Sequence, residues 1–200
     1  MRYVIHSFRH GEAILSGEIY KPVYQEVLDV IKGISDDDLK EKHGSFARPP
    51  MSLSKAINDL LKERFMKAGW KEESPIFQET EYEGERWRLD FAKAPLSIEV
   101  AFNHGEAIAW NLLKPVLASE LNHVQKAIQT EAGIIITATA ALKAAGGFDS
   151  AVGEYEKFIR YLKPLSTVLT VPMVIIGLEP PDSFTMKKTL QGNKHTSEIL

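Results

Sequence analysis

Two short alternating runs joined through a proline constrain this chain more than any other feature. In Arg86–Asn103, Trp87, Leu89 and Phe91 alternate with polar neighbours, and Leu96, Ile98, Val100 and Phe102 repeat the pattern. A period of two over four to eight residues is the mark of a β-strand. Pro95 lies between the runs, where a turn can use its fixed φ and missing N–H. The spacing therefore predicts a hairpin. Asp90 and Glu99 fall on the face opposite the large apolar side chains, so pairing of the strands would let both carboxylates converge. Such a pair is a hard oxygen donor set, suited to Mg²⁺ rather than zinc. The alternative is a pair of ordinary solvated charges on the polar face of the hairpin.

The rest of the chain reads as scaffold around that hairpin. Arg2–Phe8 predicts a strand, followed by His10-Gly11-Glu12-Ala13-Ile14-Leu15. His6 and His10 have no third ligand close in sequence, which argues against a metal site there. Val23, Val27, Leu28, Val30, Ile31 and Ile34 recur at helical spacing within Ile19–Ile34, and the Ser35-Asp36-Asp37-Asp38 cluster is read as the stop. Lys40–Pro50 reads as a loop. Ser52 is placed as the N-cap of a helix over Leu53–Ala68, closed by Gly69. Phe77–Glu81 is a further strand, with Gly84 turning the chain into the hairpin. Ala107–Thr130 reads as one long helix, kinked or broken at Pro115. Ile134–Thr137 is a continuous β-branched run of the kind buried on both faces. Ala138–Gly153 is a small-residue connection, Glu154–Leu162 a helix, and Thr170–Leu178 the last buried strand. Ser183–Leu200 is a polar tail beyond a single domain spanning 1–182. The order predicts an α/β fold, a mixed central sheet flanked by helices.

Composition narrows the chemistry further. With 200 residues and 44% hydrophobic content the chain can bury one domain. It has no cysteine, which removes disulfides, thiolate nucleophiles and zinc–sulfur sites. No run of eighteen apolar residues is present and the N-terminus lacks a signal-peptide pattern, so a cytoplasmic setting is expected. No Gly-x-Gly-x-x-Gly or Gly-x-x-x-x-Gly-Lys motif points to nucleotides. A net charge of −3 is not that of a general nucleic-acid binder. Locally, however, Arg48 to Lys71 is the most basic segment, and Arg48 and Lys55 could neutralise phosphates; a solvated helix face is the alternative.

The pattern Asp-Phe-x-Lys-x-x-x-x-x-Glu-Val-x-Phe, at Asp90 to Phe102, resembles the active-site hairpin of the BglII/BstYI group of type II restriction endonucleases, within the PD-(D/E)xK superfamily. The resemblance extends to the His-x-x-Glu-Ile-Leu-like opening, the Lys-Ala-Gly-Trp-Lys-Glu helix end and the Ile-Ile-Ile-Thr strand, and so spans most of the chain. It implies a restriction-endonuclease-like core and a homodimer cutting double-stranded DNA at a short palindrome with a GATC centre. It further implies Mg²⁺ held by Asp90, Glu99 and the carbonyl of Val100. By matching, Asn103 and His104 fall where the group contacts bases, and Asp149 and Ser150 fall near its other polar recognition loop; Asn103 and His104 could equally cap the following helix. The long helix, with Trp110 and Leu113, is the expected dimer surface. One position departs from the pattern: Ala101 stands where the group carries Gln, Glu or Lys in a third catalytic position. Three readings stay open: a replacement engineered to trap uncut DNA, natural loss leaving a binding protein or slow nuclease, or transfer of the role to a neighbour such as Lys93, His104 or Glu106. Restoring Glu or Gln at 101 is the direct test.

Overall fold

The computed structural model describes residues 1–82, 87–120, 125–191 and 194–200; Arg86, the turn at Gly84, and Leu121 and Val124 of the expected long helix lie outside the described residues. Six strands form the central sheet: β1 (Tyr3–Phe8), β2 (Lys71–Pro75), β3 (Arg88–Lys93), β4 (Leu96–Val100), β5 (Ala132–Ala138) and β6 (Met173–Leu178), in the order β1-β6-β5-β4-β3-β2. β4, β5 and β6 run parallel, while β1 at one edge and β3 and β2 at the other join antiparallel. The sheet is mixed, as the element order predicted.

The β-branched run explains why the centre of the sheet holds. In β5, Ile134 and Ile136 enter one apolar cluster and Ile135 the other, and the whole strand is buried. After the short helix α1 (Gly11–Leu15), α2 (Lys21–Lys32) and α4 (Ser54–Lys67) lie on the first face, contributing Val27, Ile31, Ile57, Leu61 and Phe65. On the second lie α5 (Ile108–Ser119) and α7 (Tyr155–Leu162), contributing Ile108, Leu112 and Phe158. Two covered faces are what parallel strands require.

Several expected elements differ. Ser35 does not end a helix but starts α3 (Asp36–Gly44): its hydroxyl accepts from Asp38 N–H while the Asp38 carboxylate accepts from Ser35 N–H, a reciprocal capping box. Ser52 is not the N-cap of α4. That place falls to Leu53, which has no side-chain cap. The strand before the hairpin is β2, not Phe77–Glu81; Phe77 makes only an isolated bridge with Lys126. α5 ends at Ser119 rather than Thr130, and Pro115 sits inside it, its ring filling the space that Gly133 leaves open. Trp110 and Leu113 are half-buried: Trp110 packs edge-on against Trp87 at 5.3 Å, and Leu113 backs the second cluster. The connection after β5 holds a short helix, α6 (Ala140–Ala145), capped by Thr139.

The segment expected as a polar tail carries a two-stranded ribbon, β7 (Met186–Gln191) and β8 (Lys194–Ile199). Phe184 and Met186 anchor it in the first cluster, and Ser197 Oγ donates to Pro50 O at 2.9 Å. Among the described residues no helix is long and apolar enough to cross a membrane.

Candidate active site

The β3–β4 ladder pairs Lys93 with Leu96, Ala92 with Ser97 and Phe91 with Ile98. One step further the register sets Asp90 opposite Glu99, and there the side chains replace the ladder. Asp90 N–H donates to Glu99 Oε1 at 3.3 Å, and Val100 N–H donates to Asp90 Oδ2 at 2.7 Å. Each carboxylate thus takes up a backbone donor from the facing strand, and backbone donors at such a seam must be satisfied somewhere. The hairpin delivers the convergence expected of it. Solvation does not match the bland alternative, because Glu99 is 1% exposed beneath α5.

A third acid joins them. β2 pairs with β3 at Glu72↔Phe91 and Ser74↔Leu89, so the intervening residue, Glu73, falls opposite Asp90. Glu73 has a φ of 45°, a conformation that non-glycine residues seldom adopt and that costs about 1–3 kcal/mol. Glu73, Asp90 and Glu99 therefore occupy neighbouring positions on three adjacent strands. A cleft of about 210 Å³ opens there, between Asn58, Asp59 and Lys62 of α4, Glu72 and Glu73 of β2, and the Asp90 and Val100 ends of β3 and β4. Sequence reading passed over Glu73; the available signal was an acidic pair on the polar strand that precedes the hairpin.

The electrostatics follow from burial. Desolvation pushes the Asp90 carboxyl up and Glu73 adds to it, while Lys114 and the Val100 N–H oppose. Glu99 rises well above the usual carboxylate range, first through burial and then through the Asp90 charge, against the pull of Lys114. Lys114, on α5, donates from Nζ to Glu99 Oε2 at 2.5 Å. The sign for stability is definite. Burial favours the protonated form of Glu99 more in the folded metal-free chain than in the unfolded one, whose value is near 4.5, so this contribution is full below that pH and is lost as pH rises through the folded value. Glu99→Gln, which never ionises, is expected to gain in Tm over the parent as the pH rises from about 4.5 to about 8; calorimetry of both chains without metal checks this. A gap that stays constant with pH would contradict it.

Among the described residues no group of three or more His, Cys, Asp or Glu side chains is arranged to hold a metal ion. Mg²⁺ does not require one, since it binds through one or two carboxylates and keeps several waters. Asp90, Glu99 and the Val100 carbonyl match that donor chemistry, and two adjoining acids whose ionisation is opposed by burial and by each other favour a cation between them.

The other expected site residues divide into two groups. Asn103 and His104 follow β4 directly and are exposed. They are zipped to the loop after α6: His104 bridges Val152, Gly153 N–H donates to Asn103 O at 2.9 Å, and Gly105 N–H to Ala151 O at 2.8 Å. Asp149 and Ser150, both exposed, belong to that same loop, so the structure brings these four together. Lys143 braces it, donating to Ser150 O, Val152 O and the Glu154 carboxylate, each at 2.8 Å. Arg48 and Lys55 are exposed on a separate loop-and-helix unit, tied in where Leu53 N–H donates to Gly146 O at 2.9 Å. Lys55 sits over the Phe46 ring at 4.4 Å. Of the neighbours considered for the role at Ala101, Lys93 is turned away to the Glu26 carboxylate and Ala68 O at 2.8 Å, while His104 and Glu106 are exposed. Ala101 itself is buried among apolar side chains.

Comparison with known proteins accords with this architecture. The family model described as restriction endonuclease BglII/BglIII matches residues 3–178. A crystal structure of the restriction endonuclease BglII complexed with a DNA 16-mer superposes with a TM-score of 0.67 at 18% identity, covering all of this chain and 90% of that one. Free BglII gives a TM-score of 0.52 at 20% identity, covering all of this chain and 93% of that one. At such identities the likeness is one of fold: the mixed sheet flanked by helices is that of BglII. No curated protein matches the chain. With the family model spanning most of its length, this chain belongs to the BglII/BglIII family of restriction endonucleases.

Proposed function

We propose that this chain is a type II restriction endonuclease that hydrolyses phosphodiester bonds of duplex DNA at a short palindrome, in a Mg²⁺-dependent reaction. The observation that carries the proposal is the pair of crossed carboxylates at the open end of the β3–β4 ladder, beside a cleft walled by α4 and β2. Asp90, Glu99 and the Val100 carbonyl would hold the ion, which when bound supplies a Lewis acid for the phosphoryl oxygen and a water of lowered pKa. The protein's own part is to keep two acids close together, half out of water, where they cannot both ionise comfortably without a cation. Glu73, opposite Asp90, adds negative charge at the cleft and strengthens that demand.

Base readout falls to the paired segments around Asn103–His104 and Asp149–Ser150. Asn103 Oδ1 accepts from Asn111 Nδ2 at 3.0 Å, which leaves the amide hydrogens of this exposed residue as donors for a purine N7 or a carbonyl on a base edge. Asp149 Oδ1 accepts from Ala151 N–H at 2.8 Å, an Asx turn that shapes the loop tip. Arg48 and Lys55 supply phosphate contacts. A GATC centre is the member of this palindrome class that the family resemblance favours. A palindrome read by one chain calls for two copies related by a two-fold axis, hence a homodimer.

Incubation of the purified chain with plasmid and Mg²⁺ or Mn²⁺ is expected to give discrete fragments. Tight specific binding without fragments would make the chain a DNA-binding protein, and nicking or smearing would make it a different nuclease.

A further inference from the structure

Position 101, one residue past β4, cannot contribute a polar side chain to the site, and its own surroundings are apolar. Ala101 lies two residues beyond Glu99 and shares its face, and its methyl is 1% exposed in the cluster formed by Ile108, Leu112 and Phe158. The polar group arrives from α5. Lys114 Nζ donates to Glu99 Oε2, and the two side chains are 12% and 2% exposed. The Glu99 carboxylate is thereby held at both oxygens, Oε1 by the Asp90 N–H and Oε2 by the ammonium. Among the described residues Lys114 is the only side-chain cation hydrogen-bonded to either acid of the pair. Lys62, in the cleft, is committed to Glu72 at 2.6 Å, and Lys93 to Glu26 on the far side of the sheet. A buried ion pair of this kind seldom adds net stability over an apolar pair of similar volume, so its presence under the open end of the hairpin is better accounted for by the site than by the fold.

We propose that Lys114 is a positioning residue of the active site, supplied by α5 where position 101, just past β4, has no side-chain function: it fixes the rotation of the Glu99 carboxylate and offsets the negative charge concentrated by Asp90, Glu99 and an incoming phosphodiester. The proposal rests on the endonuclease reading above. It places the third member of the site on a helix, where a three-residue strand motif does not look for it.

The test compares Lys114→Met and Lys114→Arg with the parent chain, and uses Asp90→Asn as the control for the reading beneath. Single-turnover cleavage in saturating Mg²⁺ is expected to fall about 100-fold in Lys114→Met, the usual cost of removing one preorganised charged donor. Duplex affinity measured with Ca²⁺ in place of Mg²⁺ is expected to stay within about twofold, while Tm falls by roughly 6–20 °C because Glu99 loses its buried partner, so rates are compared well below the lower Tm. Lys114→Arg is expected to recover the rate to within about tenfold of the parent. A crystal structure of metal-free Lys114→Met is expected to show the Glu99 carboxylate released from its present rotation. Lys114→Met cutting within about threefold of the parent, with Asp90→Asn inactive, would overturn the role of Lys114 alone. Parent-like activity in Asp90→Asn would instead overturn the endonuclease site itself. Should the methionine variant fail to fold, Lys114→Gln, which keeps a donor without the charge, is judged by the same threefold criterion.

Discussion

Asp90→Asn is expected to lower single-turnover cleavage by about 10³-fold or more while leaving duplex binding intact. The asparagine keeps the shape of the side chain, and its carbonyl oxygen can still accept from the Val100 N–H, now bonded at 2.7 Å. The seam between β3 and β4 therefore survives, and no large change in stability is expected. What disappears is one of the two negative charges that make this point attractive to a divalent cation. The remaining acid, Glu99, is buried, held by Lys114, and already disposed to keep its proton. Affinity for duplex DNA, measured with Ca²⁺ or without metal, is expected to hold or to tighten slightly, since a carboxylate near the phosphate path repels it. Rates from rapid-quench cleavage and Kd values from fluorescence anisotropy separate the two effects. A variant that cuts like the parent would remove Asp90 from the site.

The pair Asp90 and Glu99 was legible in the sequence because a strand's period of two is rigid: once both runs alternate and a proline marks the turn, the facing positions follow. The same rule made β5 legible, since Ile134 to Ile136 cannot turn one apolar face to water without exposing the next residue. What the period cannot show is which polar face is covered. Glu99 counts as a polar-face residue by alternation, yet α5 lies over it and leaves it 1% exposed. The contact that matters most to it, with Lys114, is made between elements that only tertiary packing brings together. Glu73 was hidden for a related reason, because its place opposite Asp90 depends on the β2–β3 register and on a backbone conformation that no composition rule flags.

Turn and cap chemistry produced the other misreadings. Ser35-Asp36-Asp37-Asp38 reads equally as a stop and as a start, and only the reciprocal bonds between Ser35 and Asp38 decide it. The C-terminal ribbon carries polar residues on most positions, and its attachment hangs on Phe184 and Met186, two apolar residues too few to produce a periodic signal. α5 was extended past Ser119 because apolar residues continue at helical spacing beyond the point where the chain leaves the helix. In each case the local pattern permitted two outcomes and a long-range contact selected one.

Ala101→Glu follows from the same packing and is expected to reverse the simplest reading of position 101, in which a restored acid raises activity. The methyl of Ala101 is enclosed with Ile108, Leu112 and Phe158, its N–H donates to Ile136 O at 2.8 Å, and its carbonyl accepts from Thr137 Oγ1 at 2.9 Å. The backbone is thus pinned and cannot swing the new side chain outward. The four extra heavy atoms would overpack this cluster, at a cost of about 1–3 kcal/mol. A carboxylate placed there either goes unpaired or draws Lys114 from Glu99, and breaking a buried pair in that way costs about 3–5 kcal/mol. Urea unfolding is accordingly expected to show a loss of at least about 4 kcal/mol, nearly a thousandfold in the folding constant, with cleavage no faster than in the parent. Ala101→Gln, which adds the volume without the charge, is expected to lose about half as much. A glutamate variant as stable as the parent and faster at cutting would mean that position 101 opens onto the phosphate, and that the ammonium of Lys114 is dispensable to the site.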